Sequence, residues 1–152
     1  MALQAGIAAT EYTEYTEYTE YTEYTEDTEK MKSDELTKRI IGAAIEVHRV
    51  FGPGLLESIY EDALCHEFSL QDICFERQVS VDVVYKGHVI HGQRLDLLVE
   101  KDVVVEIKAL RELPDVAMAQ VLSYLKGTGL KRALLINFGE RKLIDGVKRI
   151  SL

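Results

Sequence analysis

The sequence predicts an α/β domain in which helices flank a mixed β-sheet. Two observations support this class. Apolar residues recur at helical spacing before and after a central block of β-type alternation, and glycine or proline residues stand where the pattern changes. The predicted order is two helices, three strands, a helix, a strand and a last short strand. With 152 residues, the chain can form one domain with its own core, and hardly two.

The N-terminal segment differs from the rest of the chain. Residues 11–25 are five copies of Glu-Tyr-Thr, whose period of three matches neither a helix nor a strand. We therefore predict that residues 1–32 are a low-complexity tail, disordered or weakly helical, and that 33–152 form the domain. A tyrosine-rich interaction tail and an in-frame DNA repeat remain open, and in the second case Met31 is a natural start.

Charge and composition exclude several classes of protein. The net charge is −8, but residues 1–32 contain 8 of the 26 acidic and only 2 of the 18 basic residues, so the domain is nearly neutral. This excludes a nucleic-acid binder recognisable from a basic composition alone. No apolar run approaches the ~20 residues of a membrane span. The first ten residues lack the features of a secretory signal, and two cysteines are too few for a disulfide scaffold, so we expect a cytoplasmic protein.

Two helices are predicted ahead of the strands. The first begins at Ser33 or Asp34, either of which can cap a helix, and ends at the Gly-Pro-Gly segment 52–54. The second runs over roughly 55–70. The residues expected to face the core from these two helices are Leu36, Ile40, Ala44, Val47, Phe51, Leu56, Ile59, Ala63 and Leu64.

The β-type alternation begins at Val79, and a Lys-Gly turn at 86–87 separates the first two strands. Pro114 suits the first turn of the helix that follows the third strand. The remaining elements are predicted as strands at 79–85, 88–99 and 103–109, a helix at 114–126, and strands at 133–138 and 146–151.

The most informative stretch is the predicted hairpin centred on Lys101. Its apolar residues pair completely if the strands align as Leu95 with Ile107, Leu97 with Val105, and Val99 with Val103. A slip of one residue would expose half of them. The register therefore places Asp96 directly opposite Glu106 on the other face, with Lys108 two residues further along.

Two facing carboxylates on a half-buried sheet repel one another, and a divalent cation would remove this cost. Oxygen ligands of this kind suit Mg²⁺ or Mn²⁺. The neighbouring Lys108 can orient a water molecule or hold a phosphate oxygen. A solvated strand face with ordinary charges remains the alternative that the spacing alone leaves open.

These residues resemble a known signature. Asp96 followed by Glu106-Ile107-Lys108 is similar to the D…(D/E)xK motif of the PD-(D/E)XK nuclease superfamily, although Leu95 replaces the proline that precedes the first acid. The element order matches the αβββαβ core of that superfamily. The segment Gly54-Leu-Leu-Glu-Ser-Ile-Tyr60 resembles the motif of the GxxExxY proteins, a small family of mostly predicted nucleases. The resemblance extends from about Asp34 to the C-terminus.

The resemblance implies metal-dependent hydrolysis of phosphodiester bonds in nucleic acid, with DNA the expected partner. Asp96, Glu106 and Glu57 would bind one or two Mg²⁺ (or Mn²⁺) ions, Glu57 standing where such folds carry a glutamate on the first core helix. Lys108 would position the attacking water or neutralise the scissile phosphate.

Gln120 is the last residue to which the resemblance gives a role. Together with Tyr124 it fits a Q-x-x-x-Y spacing found on the helix after the ExK strand in exonuclease-like members, and residues four apart share a helix face. Tyr60, by contrast, is expected in the core. Arg77, Arg94 and Arg111 are candidates for phosphate contacts, or ordinary surface arginines.

Two other functions remain open. The same fold could serve as a non-catalytic binding or scaffold module, and a hydrolase of small phosphate esters would need a closed pocket. The sequence predicts neither the oligomeric state nor the choice between DNA and RNA.

Overall fold

The structure, a computed structural model, describes residues 28, 30–32 and 34–152 and divides the chain into two compact units, Met1–Leu36 and Thr37–Leu152. In the first unit, the described residues are helical. The Glu-Tyr-Thr repeat lies outside the described residues, so the predicted tail at 1–32 stays a prediction. In the described part of the chain, no helix has both the length and the apolar character that crossing a membrane requires.

The second unit has the predicted α/β class and order of elements. The main differences are an earlier start of the first strand, at Phe75 instead of Val79, and a 3₁₀ turn before the last strand. The elements are α1 (helical over 34–51, of which 37–51 belong to this unit), α2 (Glu57–Leu70), β1 (Phe75–Tyr85), β2 (His88–Val99), β3 (Val103–Lys108), α3 (Asp115–Thr128), β4 (Arg132–Asn137), the 3₁₀ turn (Leu143–Gly146) and β5 (Val147–Ser151).

The five strands form one mixed sheet in the order β1-β2-β3-β4-β5. Only β3 and β4 are parallel, and α3 forms the crossover between them. Nearly every residue of these two strands is buried, as expected for central strands covered on both faces. A cluster between the sheet and α3 includes Val104, Val121 and Leu135.

The predicted hairpin register between β2 and β3 is confirmed close to the turn, where Val99 pairs with Val103 and Leu97 with Val105. The ladder ends there, so the predicted pairing of Leu95 with Ile107 is wrong. Leu95 instead belongs to the core cluster beneath α3. The physical reason is that the side-chain carboxylates of Asp96 and Glu106 replace the backbone acceptors beyond Leu97.

Some helix residues predicted to be buried are exposed. Leu56 is 71% exposed and Ile59 is 41% exposed. The reason is that α2 begins only at Glu57, and a different set of its residues faces the core. The buried residues of α2 are Tyr60, Leu64, Cys65 and Phe68. Phe51, at the end of α1, is also exposed, whereas the predicted core positions Ile40, Ala44 and Val47 are confirmed.

Tyr60 is a core residue, as predicted. Its ring stacks on Phe138 with centroids 4.6 Å apart. Its hydroxyl donates to the carbonyl of Gly52 and accepts a hydrogen bond of 3.1 Å from the Leu55 N–H. Tyr60 therefore fixes the turn that leads from α1 into α2.

Candidate active site

Asp96 lies on β2 just beyond the end of the β2–β3 ladder. Its Oδ2 accepts a hydrogen bond of 2.8 Å from the main-chain N–H of Ile107 on β3. Its Oδ1 accepts a hydrogen bond of 3.3 Å from the Nε2 of Gln78 on β1. The carboxylate is thus held at both oxygens, and it connects three strands where regular pairing has stopped.

Glu106 lies beside Asp96 and is only 3% exposed. Its Oε2 is 3.4 Å from the main-chain N–H of Asp96, and its Oε1 is 3.4 Å from the Nζ of Lys108. Burial, and then the charge of Asp96, raise the pKa of Glu106 from its usual 4.5 to about 7, although Lys108 acts in the opposite direction. Near neutral pH this carboxyl group is therefore only partly ionised.

The pKa of Asp96 is also raised, mainly by burial, although the hydrogen bond from Ile107 opposes the shift. Burial is the main cause of the raised pKa in both carboxyl groups; the charge of Asp96 raises the pKa of Glu106 further, and the charge of Glu61 raises that of Asp96. A divalent cation would act in the opposite direction because it attracts both carboxylates. The electrostatics of the pair therefore suit a cation-binding role.

Lys108 connects this pair to α3. Its ammonium lies 3.3 Å from the Oε1 of Gln120, as well as 3.4 Å from Glu106, and its side chain is 19% exposed. Because Gln120 is neutral, it holds the ammonium without cancelling its charge. The structure thus brings together four of the five predicted site residues, namely Asp96, Glu106, Lys108 and Gln120.

Glu57, the fifth, stands in the first turn of α2. Its pKa is raised, chiefly by partial desolvation, while Lys108 lowers it and the charges of Asp96 and Glu61 raise it further. It is therefore close enough to interact electrostatically with the cluster. However, among the described residues no three Asp, Glu, His or Cys side chains converge into a ready-made cation site.

The donor set nevertheless fits Mg²⁺ or Mn²⁺. Mg²⁺ in proteins is usually held by one or two carboxylates, with water and substrate phosphates completing the shell, and it rarely needs a full protein cage. Asp96 and Glu106 supply that pair. Glu57, which is exposed, is the third carboxylate within electrostatic reach.

Two further residues of the cluster were not predicted. Glu61 follows Glu57 by one helical turn, and its Oε1 accepts a hydrogen bond of 2.7 Å from Gln78. The i, i+4 spacing of the two glutamates on α2 was the signal that could have indicated Glu61. Gln78 had no such signal in the sequence.

The three arginines considered for phosphate contacts differ in their surroundings. Arg77 forms ion pairs of 2.8 Å with Glu61 and 3.0 Å with Asp62, and these contacts engage it within the protein instead of leaving it ready for phosphate. Arg94 and Arg111 are exposed.

A groove of about 540 Å³ adjoins the cluster on the α3 side. Gln120, which contacts Lys108, lines the groove, and Tyr124 forms part of its wall, although that side chain is only 1% exposed. The pKa of Tyr124 is raised by burial and then by the charges of Glu106 and Asp96, so it remains a neutral hydroxyl. The remaining lining residues are Val83, Ile90, His91, Gly92, Gln93 and Arg94.

Comparisons with known proteins give one match. No curated protein and no solved structure matches this chain significantly. A family model of the PD-(D/E)XK nuclease superfamily matches residues 34–150, which is most of the chain and includes every residue of the cluster. The chain therefore belongs to the PD-(D/E)XK nuclease superfamily.

Proposed function

We propose that this protein is a Mg²⁺- or Mn²⁺-dependent nuclease that hydrolyses phosphodiester bonds, with DNA as its substrate. The observation that carries this proposal is the contact of half-buried Asp96 with buried Glu106, with Lys108 3.4 Å from Glu106. Two carboxylates and a lysine in contact provide cation ligands and a positive charge in one place. Membership of a nuclease superfamily supports the same activity.

Asp96 and Glu106 would hold the metal, and Glu57 would join them from α2. When bound, the metal lowers the pKa of a water molecule and stabilises the negative charge that develops on the phosphate. The main-chain N–H of Ile107 keeps the carboxylate of Asp96 oriented during this process. The fixed orientation matters because a ligand that need not reorganise binds more tightly.

Lys108 would act on the substrate. Its ammonium is held between Glu106 and Gln120 and remains partly exposed, so it can donate to a phosphate oxygen or to the attacking water. Gln120 serves as a positioning residue, because its carbonyl oxygen holds the ammonium and leaves its charge available. The adjoining groove offers room for the nucleotides beside the scissile bond.

We also infer that the chain belongs to the GxxExxY group within the superfamily. Each named position of that motif has a local role here. Gly54 has φ of 107°, which disfavours other residues, and Tyr60 closes the turn by bonding Gly52 and Leu55. The turn thereby sets the start of α2, where Glu57 stands.

A cytoplasmic location is part of the same proposal. Cys65 is buried and Cys74 is exposed, and neither is in a disulfide, as expected in a reducing compartment.

The proposal is tested by a plasmid-nicking assay with Mg²⁺, with Mn²⁺ and with EDTA. We expect nicking with either metal, none with EDTA, and none from Lys108→Ala. Parallel assays with single-stranded DNA and RNA establish the substrate. Nucleic-acid binding without cleavage in any metal would contradict a nuclease and favour a non-catalytic binding module.

A further inference from the structure

Gln78 has an unusual backbone conformation. Its φ is 50°, in the left-handed region that a side chain with a Cβ rarely adopts. Among the described residues, four other non-glycine residues have positive φ, and all four lie in turns. Gln78 is the one within a strand. Such a conformation persists only where the surrounding structure holds it, and it often marks a functional site.

The position of Gln78 in the sheet is also informative. The β1–β2 register pairs Arg77 with Leu97 and Val79 with Leu95, so Gln78 stands opposite Asp96. The pair between these two residues is missing from the ladder. The strand therefore departs from regular geometry at the residue that faces Asp96.

The side chain of Gln78 joins two carboxylates. Its Nε2 donates to the Oε1 of Glu61 at 2.7 Å and to the Oδ1 of Asp96 at 3.3 Å. An amide nitrogen carries two hydrogens, one for each acceptor. Glu61 is held at its other oxygen by Arg77, at 2.8 Å. The neutral amide of Gln78 thus links Glu61 on α2 to Asp96 on β2.

We propose that Gln78 is a positioning residue that orients the Asp96 carboxylate for metal binding and ties it to α2. This inference rests on the proposed function, because it takes Asp96 as a metal ligand. Gln78 holds Oδ1 while the Ile107 N–H holds Oδ2, so both oxygens are oriented and each retains a lone pair for a cation. Mutation of a group that orients a metal ligand in this way typically lowers metal affinity or activity about 10- to 100-fold.

Two substitutions separate the side chain from the backbone. Gln78→Met keeps the length of the side chain and removes both donors. Gln78→Gly also removes the donors, but it relieves the positive φ. Because Gln78 is exposed, neither change removes core packing. The matched controls are Gln71→Met, which removes an amide donor to Glu67 at the end of α2, and Lys86→Gly, which relieves a positive φ in the β1–β2 turn.

Three experiments are carried out on each variant: electron paramagnetic resonance gives the Mn²⁺ dissociation constant, thermal melting in EDTA gives the melting temperature, and plasmid nicking gives kcat and KM. We expect Gln78→Met and Gln78→Gly to weaken Mn²⁺ binding about 10- to 100-fold and to lower kcat with little change in KM. Gln78→Gly should melt at or above the temperature of the wild type. Both controls should bind Mn²⁺ and cleave as the wild type does.

The outcomes that contradict these inferences are distinct. A folded Gln78→Gly protein with unchanged Mn²⁺ affinity and kcat would overturn the positioning role and leave the nuclease intact. If Gln78→Met fails to fold, the glycine variant decides. Wild-type protein that neither binds Mn²⁺ nor cleaves nucleic acid would overturn the proposed function, and the role of Gln78 with it.

Discussion

The main-chain N–H of Ile107 donates a 2.8 Å hydrogen bond to the Oδ2 of Asp96, at the place where backbone pairing between β2 and β3 ends. A side chain thus accepts the bond that a carbonyl would accept in a regular ladder. Ile107 is fully buried, so its N–H depends on this acceptor. The same carboxylate is therefore needed both for the stability of the sheet and for the proposed metal site.

This dual role predicts different effects for two substitutions of Asp96. Asp96→Asn keeps an oxygen acceptor for Ile107 and removes a repelling charge, although it loses the 3.3 Å hydrogen bond from Gln78, so the stability of the metal-free protein should stay close to that of the wild type. Asp96→Ala leaves the N–H without that acceptor and should lose about 1–3 kcal/mol. Both should abolish nicking. Urea denaturation in EDTA measures the difference, and equal losses in the two variants would contradict the structural role.

The stability of the metal-free protein should fall as the pH rises from about 4.5 to about 7. The pKa of Glu106 is raised from 4.5 to about 7 in the folded protein, so the folded state binds a proton more tightly than the unfolded state. This stabilisation is complete below the unfolded pKa, and it is lost as the pH passes the folded pKa. Melting temperatures in EDTA across this range check the sign.

Glu106→Gln is the matched variant for the pH prediction, since it mimics the protonated acid and cannot titrate. Its melting temperature should change less with pH than that of the wild type. Asp96 contributes a shift in the same direction, so some dependence should remain. A wild-type protein whose stability rises over this pH range would contradict the prediction.

Mg²⁺ should stabilise the protein more at pH 8 than at pH 5. The cation and the proton compete for the same carboxylates, and at low pH a larger fraction of the carboxylates is protonated and cannot bind the metal. Thermal melting with and without Mg²⁺ at the two pH values measures this. The added stability should disappear in Asp96→Asn, whereas equal stabilisation at both pH values would place Mg²⁺ at another site.

Gln120→Leu should lower kcat about tenfold and leave Mn²⁺ affinity unchanged. It removes the 3.3 Å contact that holds the ammonium of Lys108, and a hydrogen bond to a charged group contributes about 1.5–3 kcal/mol. The matched control is Lys126→Ala, an exposed cation in the last turn of α3. A parallel loss of metal affinity in Gln120→Leu would show that Gln120 acts on the carboxylates instead.

Removal of residues 1–30 should leave the melting temperature of the domain unchanged. The segment contains eight acidic residues and a single lysine, so it should also repel a polyanionic substrate. Nicking by a chain that starts at Met31 should therefore be equal or slightly faster at low salt, with the difference fading as salt is added. A drop of many degrees in melting temperature would show that the repeat packs on the domain.

The convergence of Asp96, Glu106 and Lys108 was predictable from strand alternation and from the apolar pairs that fix the register of the hairpin near its turn. The bridge from Glu61 through Gln78 to Asp96 was not. It depends on a left-handed residue inside a strand, and nothing in the local residue pattern requires that conformation. Exposure of Leu56 and Ile59 was missed because helical periodicity does not fix the residue at which a helix begins.

The parallel pairing of β3 with β4 has a consequence for the newly made protein. Every residue of the cluster lies between positions 57 and 120, and so leaves the ribosome before β4, whose Leu135 pairs with Glu106. Until β4 arrives, one edge of β3 has no neighbour, and the burial that raises the pKa of Glu106 is incomplete. We therefore expect the nascent chain to acquire the proposed nuclease activity only after β4 has docked beside β3.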